Sequence, residues 1–245
     1  MNARYRLIAL ILVLVAGWFG GTLRAQSESA EATDALETNS LVTTIEAADG
    51  LTLYGEFFRA QQGDGRVVLL LHELYTTRGS WYPYIEALRA AGYHVLAVDL
   101  RGFGDTRGRL NWRRALEDTQ RWLEWLYLEA GIRGDAVFLV GSSMGSSLAL
   151  VGCAEAPACA GSVAISPGRS YFGVSTDDAI SSGTPALLVY ADRDLYPRRA
   201  IPYMQGQAGF NGEVITYSGR AHGMLLLASE EDLLPQIIAW MNARL

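Results

Sequence analysis

The sequence of 245 residues contains no lysine, and all twenty of its Lys/Arg-type basic residues are arginine. Lysine forms Schiff bases, acts as the base of Ser–Lys dyads and holds phosphates in the Walker A loop, so these three chemistries are excluded together. The 26 acidic residues give a formal net charge of −6, which argues against nucleic acid as a partner. Histidine is scarce too: His72, His94 and His222 are the only candidates for an imidazole base.

Sequence patterns for metals and cofactors are also missing. There is no H-E-x-x-H pair, no paired-cysteine motif and no EF-hand loop, so we expect no bound metal. Residues 102–107 begin like a dinucleotide-binding loop, but the third glycine is absent and an irregular segment replaces the start of a helix. The sequence therefore predicts a protein without a cofactor.

The N-terminus has the pattern of an export signal. Arg4 and Arg6 precede an almost purely apolar run at residues 7–19, and Ala25 offers a cleavage position. The run is short for a bilayer span, so we expect residues 1–25 to be a cleaved signal peptide, with no stable membrane insertion afterwards. The mature protein would then be periplasmic or extracellular. An uncleaved signal anchor remains the alternative.

Two cysteines agree with export. Cys153 and Cys159 lie six positions apart, in a predicted helix and in the loop that follows it. In an oxidising compartment this spacing favours a small-loop disulfide, although two buried free thiols remain the alternative.

The rest of the chain predicts a flexible linker and one α/β domain. Residues 26–40 are polar, acidic and without periodicity. Residues 41–47 and 51–59 are predicted as two strands joined by a hairpin turn at Asp49-Gly50. From residue 66 onward short apolar β-branched runs alternate with helical patterns, which indicates a mostly parallel central sheet of about eight strands with helices on both faces. The last helix is predicted over residues 224–242, with a kink at Pro235.

Residues 137–151 contain a motif typical of nucleophilic catalysis. A buried strand pattern runs into Gly141-Ser142-Ser143-Met144-Gly145, and a helical pattern follows at once. This is the G-x-S-x-G context in which a central serine sits on a sharp strand-to-helix turn. We therefore predict Ser143 as the nucleophile and the Met144 amide as a donor to an oxyanion.

A base and an acid are predicted at the same sheet edge. His222 follows the last strand pattern, whereas His94 lies inside a strand and is expected to be structural. An earlier strand pattern, residues 185–190, runs into a turn that contains two carboxylates, Asp192 and Asp194. We prefer Asp194, which lies farther along the turn, because Asp192 is better placed to satisfy turn amides or to pair with Arg193.

With these residues the chain resembles the α/β-hydrolase superfamily, in its small, lidless, serine-esterase or dienelactone-hydrolase-like form, from about residue 41 to 245. The resemblance rests on the G-x-S-x-G segment, on the order Ser143, Asp194, His222 and on two further segments. Residues 99–106 (DLRGFGDT) are similar to the D-x-R-G-x-G-x-S loop, and residues 69–74 (LLLHEL) to the strand that enters the oxyanion loop. By position, Leu74 would supply the second oxyanion amide. The short segment 167–184 leaves no room for a helical cap.

The oxyanion segment departs from many relatives, which have His-Gly where this chain has His72-Glu73. The pair resembles dienelactone hydrolases, but their cysteine nucleophile is absent, so their substrate is not implied. Two hypotheses remain for Glu73: a carboxylate held outside the pocket by amides or an arginine, or one that touches Ser143. His72 is expected to brace the loop. Aromatic residues at the carboxyl edge are candidates to line an acyl pocket: Tyr75, Trp81, Phe103, Tyr171, Phe172 and Tyr196.

The resulting expectation is a serine hydrolase acting on a small-molecule carboxylic ester, with thioesters as a close alternative. An acyltransferase with the same triad, or an exported binding protein that keeps the fold without turnover, are the other hypotheses. The sequence does not indicate an oligomeric state.

Overall fold

The computed structural model describes residues 40–62, 65–133 and 136–245. The predicted signal peptide lies outside these residues, and so does the predicted linker except for Ser40, which begins the first strand. Residues Leu41–Leu245 form one compact unit. Within the described ranges, no helix is both long and apolar enough to cross a membrane.

A mostly parallel sheet forms the centre of this unit. Its strands are β1 (Ser40–Glu46), β2 (Thr52–Phe58), β3 (Arg66–Leu71), β4 (Tyr93–Val98), β5 (Val137–Ser142), β6 (Gly161–Ile165), β9 (Ala186–Ala191) and β10 (Gly212–Tyr217), with β7 (Ser170–Tyr171) and β8 (Val174–Ser175) forming a separate ribbon. The order in the sheet is β1-β2-β4-β3-β5-β6-β9-β10. β2 is antiparallel to β4, whereas the pairs from β4 through β10 are parallel.

The central strands are buried at consecutive positions. Every residue of β5 and β6 is buried, as is all of β3 after Arg66. Successive side chains of a strand point to opposite faces, so continuous burial requires cover on both sides. The expected α/β architecture is therefore confirmed, and the carboxyl ends of the parallel strands share one edge.

Seven α-helices are described. They are α1 (Tyr82–Ala90, after a 3₁₀ turn at Arg78–Trp81), α2 (Trp112–Leu128), α3 (Met144–Glu155), α4 (Asp177–Ser181), α5 (Leu195–Gln205), α6 (Met224–Ser229) and α7 (Leu233–Asn242). α3 is buried from Met144 to Cys153, so it packs at the centre of the fold. A Cβ at Gly152 would lie 2.9 Å from the Thr119 side chain, so this glycine allows α2 and α3 to approach closely.

The C-terminal region corrects one expectation. In place of a single helix kinked at Pro235, the chain forms α6 and α7, separated at residues 230–232. Pro235 is the third residue of α7. The amides of a first helical turn have no intrahelical acceptor, so proline is tolerated there and need not bend the helix.

The connection between β6 and β9 is short, as predicted. It contains only the β7–β8 ribbon and the five-residue α4 within the described chain, and no cap covers the sheet edge. A disulfide joins Cys153 of α3 to Cys159 in the loop before β6, which confirms the predicted pairing.

Candidate active site

Ser143 occupies a sharp turn between β5 and α3. Its backbone has φ 50° and ψ −114°, an uncommon conformation for a residue with a side chain. A Cβ at Gly141 would lie 2.0 Å from the Gly145 carbonyl oxygen, and one at Gly145 would lie 2.3 Å from the Leu71 carbonyl oxygen. Only glycine fits at these two positions, so the G-x-S-x-G sequence is a direct requirement of the turn.

The structure brings together the three groups that the sequence predicted. The Ser143 hydroxyl donates to His222 Nε2 over 2.7 Å, and His222 Nδ1 donates to Asp194 Oδ2 over 2.5 Å. Ser143 is 9% exposed, so its hydroxyl is reachable from solvent but otherwise enclosed. A hydroxyl, an imidazole and a carboxylate in this order can activate the serine oxygen as a nucleophile.

The neighbouring carboxylate has a different task. Asp192 Oδ1 accepts a hydrogen bond from the Gly219 amide at 2.8 Å and lies 3.7 Å from Arg193 Nε. It therefore stabilises the turn that precedes His222, which is the role that the sequence predicts for it. Asp194 is the carboxylate that reaches the imidazole.

Two backbone amides lie where the sequence placed an oxyanion site. Met144 is the first residue of α3, and Leu74 follows the end of β3 in a segment packed on that helix. The close approach of Gly145 to the Leu71 and His72 carbonyls holds the two segments together. Within the described residues neither amide donates to a protein acceptor. Free amides at a helix N-terminus can bind a developing negative charge.

His72 braces the oxyanion segment. Its Nδ1 donates to the Glu73 carbonyl at 2.8 Å, and its Nε2 accepts from the Leu100 amide at 3.0 Å. The ring is fully buried, and burial lowers the pKa of His72 below the usual value for histidine. A neutral ring is the form that can make both bonds, so His72 links this segment to the loop after β4. His94 is structural, since its Nδ1 accepts from the Ala60 amide.

The aromatic candidates separate into several environments. Tyr171 is buried beside the serine: burial raises the pKa of its hydroxyl, and a hydrogen bond with Ser143 acts in the opposite direction. Tyr75 is 87% exposed, so it lines no enclosed pocket in the described structure. The prediction that Trp81 lines an acyl pocket is wrong, because the 3₁₀ turn directs its ring into the core, where it is 2% exposed.

A family model described as the alpha/beta hydrolase fold matches residues 66–210. The chain belongs to this family. Among solved structures, it is similar to the Pyrococcus furiosus esterase Pf2001, with 19% identity and a TM-score of 0.75 over 86% of this chain and 94% of that one. An α/β-hydrolase from Vibrio vulnificus has 18% identity and a TM-score of 0.72 over 88% of this chain and 85% of that one.

A curated relative matches a smaller part. Over 121 residues the chain is 24% identical to "Uncharacterized protein YfhR" of Salmonella typhimurium. The matched segment covers 48% of this chain and 41% of that protein. The match therefore spans less than half the length of this relative.

In this α/β-hydrolase Glu73 accepts from Ser142 and not from Ser143, so the hypothesis of a carboxylate that touches Ser143 is wrong. Glu73 Oε2 accepts from the Ser142 hydroxyl at 2.8 Å and from the Met224 amide at 2.9 Å. The carboxylate thus joins three segments: its own oxyanion segment, the end of β5 and the start of α6, two residues after His222. Because three segments meet at this one side chain, Glu73 fixes how the His222 loop lies against the turn at Ser143.

Sequence reasoning missed the residues that hold the His222 loop. Gly223 has φ +58°, and a Cβ there would lie 1.9 Å from Glu73 Oε2. Its amide donates to the Ser166 hydroxyl at 2.9 Å, and Ser166 itself has φ 53°. A glycine directly after the histidine and a serine at a strand end are weak signals. Their role is visible only in the structure, where the loop after β6 contacts the loop that carries His222.

Asp99 anchors the D-x-R-G-x-G-like loop of the hydrolase to the 3₁₀ turn that begins at Arg78. Asp99 accepts from the Arg78 amide at 2.8 Å and from the Asp105 amide at 2.9 Å, and it pairs with the Arg78 guanidinium. Gly104 must lack a Cβ, which would lie 2.2 Å from the Asp99 carboxylate. The loop is therefore a support for the site. Among the described residues, no group of three or more metal-binding side chains is gathered in one place.

Proposed function

We propose that this hydrolase cleaves small-molecule carboxylic esters, and thioesters as close substrates, through an acyl-enzyme on Ser143. One observation carries the proposal: the continuous hydrogen-bonded relay from Ser143 through His222 to Asp194. The relay opens at an uncapped sheet edge, where a small ester can enter. The solved esterase of similar fold supports the same class of reaction.

In the proposed mechanism, His222 Nε2 takes the proton of the Ser143 hydroxyl while the oxygen attacks the ester carbonyl. The Met144 and Leu74 amides then donate to the negatively charged carbonyl oxygen, and each such donor is worth roughly 10²–10³ in rate. Asp194 keeps the imidazole in the reactive tautomer and stabilises its charged form. The imidazolium returns the proton to the departing alcohol.

The acyl group on Ser143 can then react with water or with another nucleophile. Water gives hydrolysis, and an alcohol or amine gives acyl transfer on the same triad. Esters and thioesters share the attacked carbonyl, so one site serves both. A binding protein that keeps this fold without turnover is the alternative from another class. It does not account for the complete relay.

Three measurements test the proposal directly. The purified protein should release nitrophenol from 4-nitrophenyl esters of increasing acyl length, and a stopped reaction should leave the acyl mass on the peptide that contains Ser143. A fluorophosphonate should label that same peptide. The absence of both turnover and labelling would identify a binding protein. Product formed only with an added alcohol or amine would identify an acyltransferase.

Gly223→Ala should lower kcat/KM for an activated ester by about 10²-fold, the usual effect of a misplacement of about 1 Å. The new Cβ would lie 1.9 Å from Glu73 Oε2, so either the carboxylate or the His222 loop must move. The measurement is steady-state kinetics together with circular dichroism to verify folding.

A double variant that combines Gly223→Ala with Glu73→Ala separates the effect of the clash with Glu73 from the effect of backbone strain at residue 223. Removing the carboxylate relieves the closest clash and frees the Ser142 hydroxyl, which would lie 2.7 Å from the new Cβ, to rotate away. The double variant should therefore be little worse than Glu73→Ala alone. Gly219→Ala is the control for backbone strain without a clash, because this glycine of the same loop has φ +128°, which is at least as unfavourable for alanine, and nothing within 4 Å of its Cβ. Strict additivity of Gly223→Ala and Glu73→Ala would contradict the predicted coupling.

We also propose export of the protein with cleavage after Ala25, with an uncleaved signal anchor as the alternative. The basic and apolar N-terminal pattern supports this proposal, as does the disulfide, which is typical of oxidising compartments. N-terminal sequencing of the protein isolated from its native host should begin at Gln26. A membrane-bound chain that begins at residue 1 or 2 would identify the anchor.

A further inference from the structure

A cavity of about 750 Å³ lies beside the candidate active site. Its walls come from the β7–β8 ribbon with the residues on either side of it, and from the first turns of α5. The lining residues are Arg169, Ser170, Ser175, Asp177, Leu195, Tyr196, Arg199 and Ala200. The relay does not use this space, and no step of the proposed mechanism requires it.

Two tyrosine rings form the boundary between the cavity and the nucleophile. Tyr196 lines the cavity two residues after Asp194, and its ring stacks on that of Tyr171 with 5.5 Å between centroids. Tyr171 in turn is buried beside Ser143 and donates to the Ser166 carbonyl at 3.1 Å. A substrate with its carbonyl at Ser143 therefore reaches the cavity by extending one arm across this pair of rings.

The charges that line the cavity do not cancel. Arg169 makes a two-pronged ion pair with Asp177, with its closest contact at 2.8 Å, and its guanidinium also lies 3.9 Å from the Tyr203 ring centroid. Arg199 has no acidic partner among the residues that the structure describes. The lining therefore carries one excess positive charge, although the whole chain has a net charge of −6.

The remaining walls suit an aliphatic arm. Leu195, Tyr196 and Ala200 present apolar surface on the α5 side, and the first two are 63% and 65% exposed. Large apolar side chains left exposed together beside a reactive group mark a binding surface more often than an accident of packing. Apolar walls and an arginine without an acidic partner in one cavity match a hydrocarbon chain with an anionic end.

We propose that this cavity binds a carboxylate carried on the acyl arm of the substrate, so that the preferred esters are half-esters of dicarboxylic acids. The inference rests on the proposed ester hydrolysis. The planar guanidinium of Arg199 offers paired N–H donors that fit the two oxygens of a carboxylate. Its single excess charge matches one carboxylate, whereas a phosphate dianion would remain half neutralised.

The test compares two esters that differ only at the end of the arm. 4-Nitrophenyl hexanoate ends in a methyl group, and the mono-4-nitrophenyl ester of adipic acid has a carboxylate there; an eight-carbon pair repeats the comparison. We expect the ratio of kcat/KM, half-ester over neutral ester, to fall about tenfold in Arg199→Gln. The ratio should also fall with added salt, because an exposed charge pair is screened.

Arg198→Gln is the matched control. Arg198 is the neighbouring exposed arginine of α5 and does not line the cavity. An unchanged ratio in Arg199→Gln, or an equal fall in both variants, would overturn the proposal, because only general attraction would then remain.

A binding measurement separates this proposal from the proposed function. Monomethyl adipate should bind Ser143→Ala and should bind the Arg199→Gln double variant about tenfold more weakly, as measured by calorimetry. That result would support the cavity site even if the wild-type protein cleaved neither nitrophenyl ester, in which case ester hydrolysis alone would fail. Equal binding to the two proteins would reject the carboxylate site independently of turnover.

Discussion

Ser143→Ala should reduce kcat for an activated ester by about 10⁶-fold, which is the scale measured for loss of a nucleophilic serine in an unrelated protease. The hydroxyl is the group that His222 Nε2 contacts at 2.7 Å, and alanine has no atom that can form the acyl bond. Residual rate would come from the oxyanion amides and substrate binding alone. The measurement is nitrophenol release at saturating ester, with fluorophosphonate labelling as a second readout.

Ser142→Ala is the control for this experiment. Ser142 is adjacent in the same turn and is fully buried, but its hydroxyl donates to Glu73 and not to His222. We expect this variant to keep labelling and to lose no more than about tenfold in kcat, since one buried hydrogen bond is worth about 1 kcal/mol. Equal losses in the two variants would mean that the turn, and not the Ser143 hydroxyl, is what the chemistry needs.

Asp194→Asn should have the second largest effect, a fall in kcat of about 10⁴-fold. Asp194 Oδ2 accepts the Nδ1 proton of His222, which leaves Nε2 free to accept from Ser143. An amide is uncharged and can present its NH₂ group to the ring, which favours the wrong tautomer and no longer stabilises the imidazolium. Steady-state kinetics at several pH values measures the loss.

Asp192→Asn provides a matched comparison two residues away. Asp192 contacts the Gly219 amide, a bond that an asparagine oxygen can also accept. We expect a change in kcat of less than about tenfold and a small loss of thermal stability. A larger effect at Asp192 than at Asp194 would reverse the assignment of the acid.

The relay was predictable because each of its parts has a local signal. Residues 137–151 contain a strand, a glycine-flanked serine and a helix in direct succession, and steric demands of the turn explain the glycines at 141 and 145. Asp194 and His222 each follow a parallel strand, and carboxyl ends of parallel strands meet at one edge. The choice of Asp194 over Asp192 also followed from position within the turn.

The errors occurred where contacts between distant segments decide the outcome. The sequence leaves two environments open for Glu73, and its partners Ser142 and Met224 lie 69 and 151 positions away. Trp81 was expected at the site, but the 3₁₀ turn before α1 directs its ring into the core. No local pattern reports these contacts, because each depends on how two loops or two elements pack.

The sequence by itself determined the α/β architecture, the sharp turn at Ser143, the disulfide pair and the identity of the three hydrogen-bonded groups of the relay. These features depend on periodicity, on glycine at crowded backbone positions and on the direction of parallel strands. Only the tertiary structure decided that Glu73 and Gly223 hold the imidazole loop, and that Arg199 lies in a cavity behind Tyr171 and Tyr196. Such arrangements arise from packing between segments that are far apart in the chain. The energies of these contacts depend on the distance and burial of the groups in the folded protein, and no local sequence pattern encodes them.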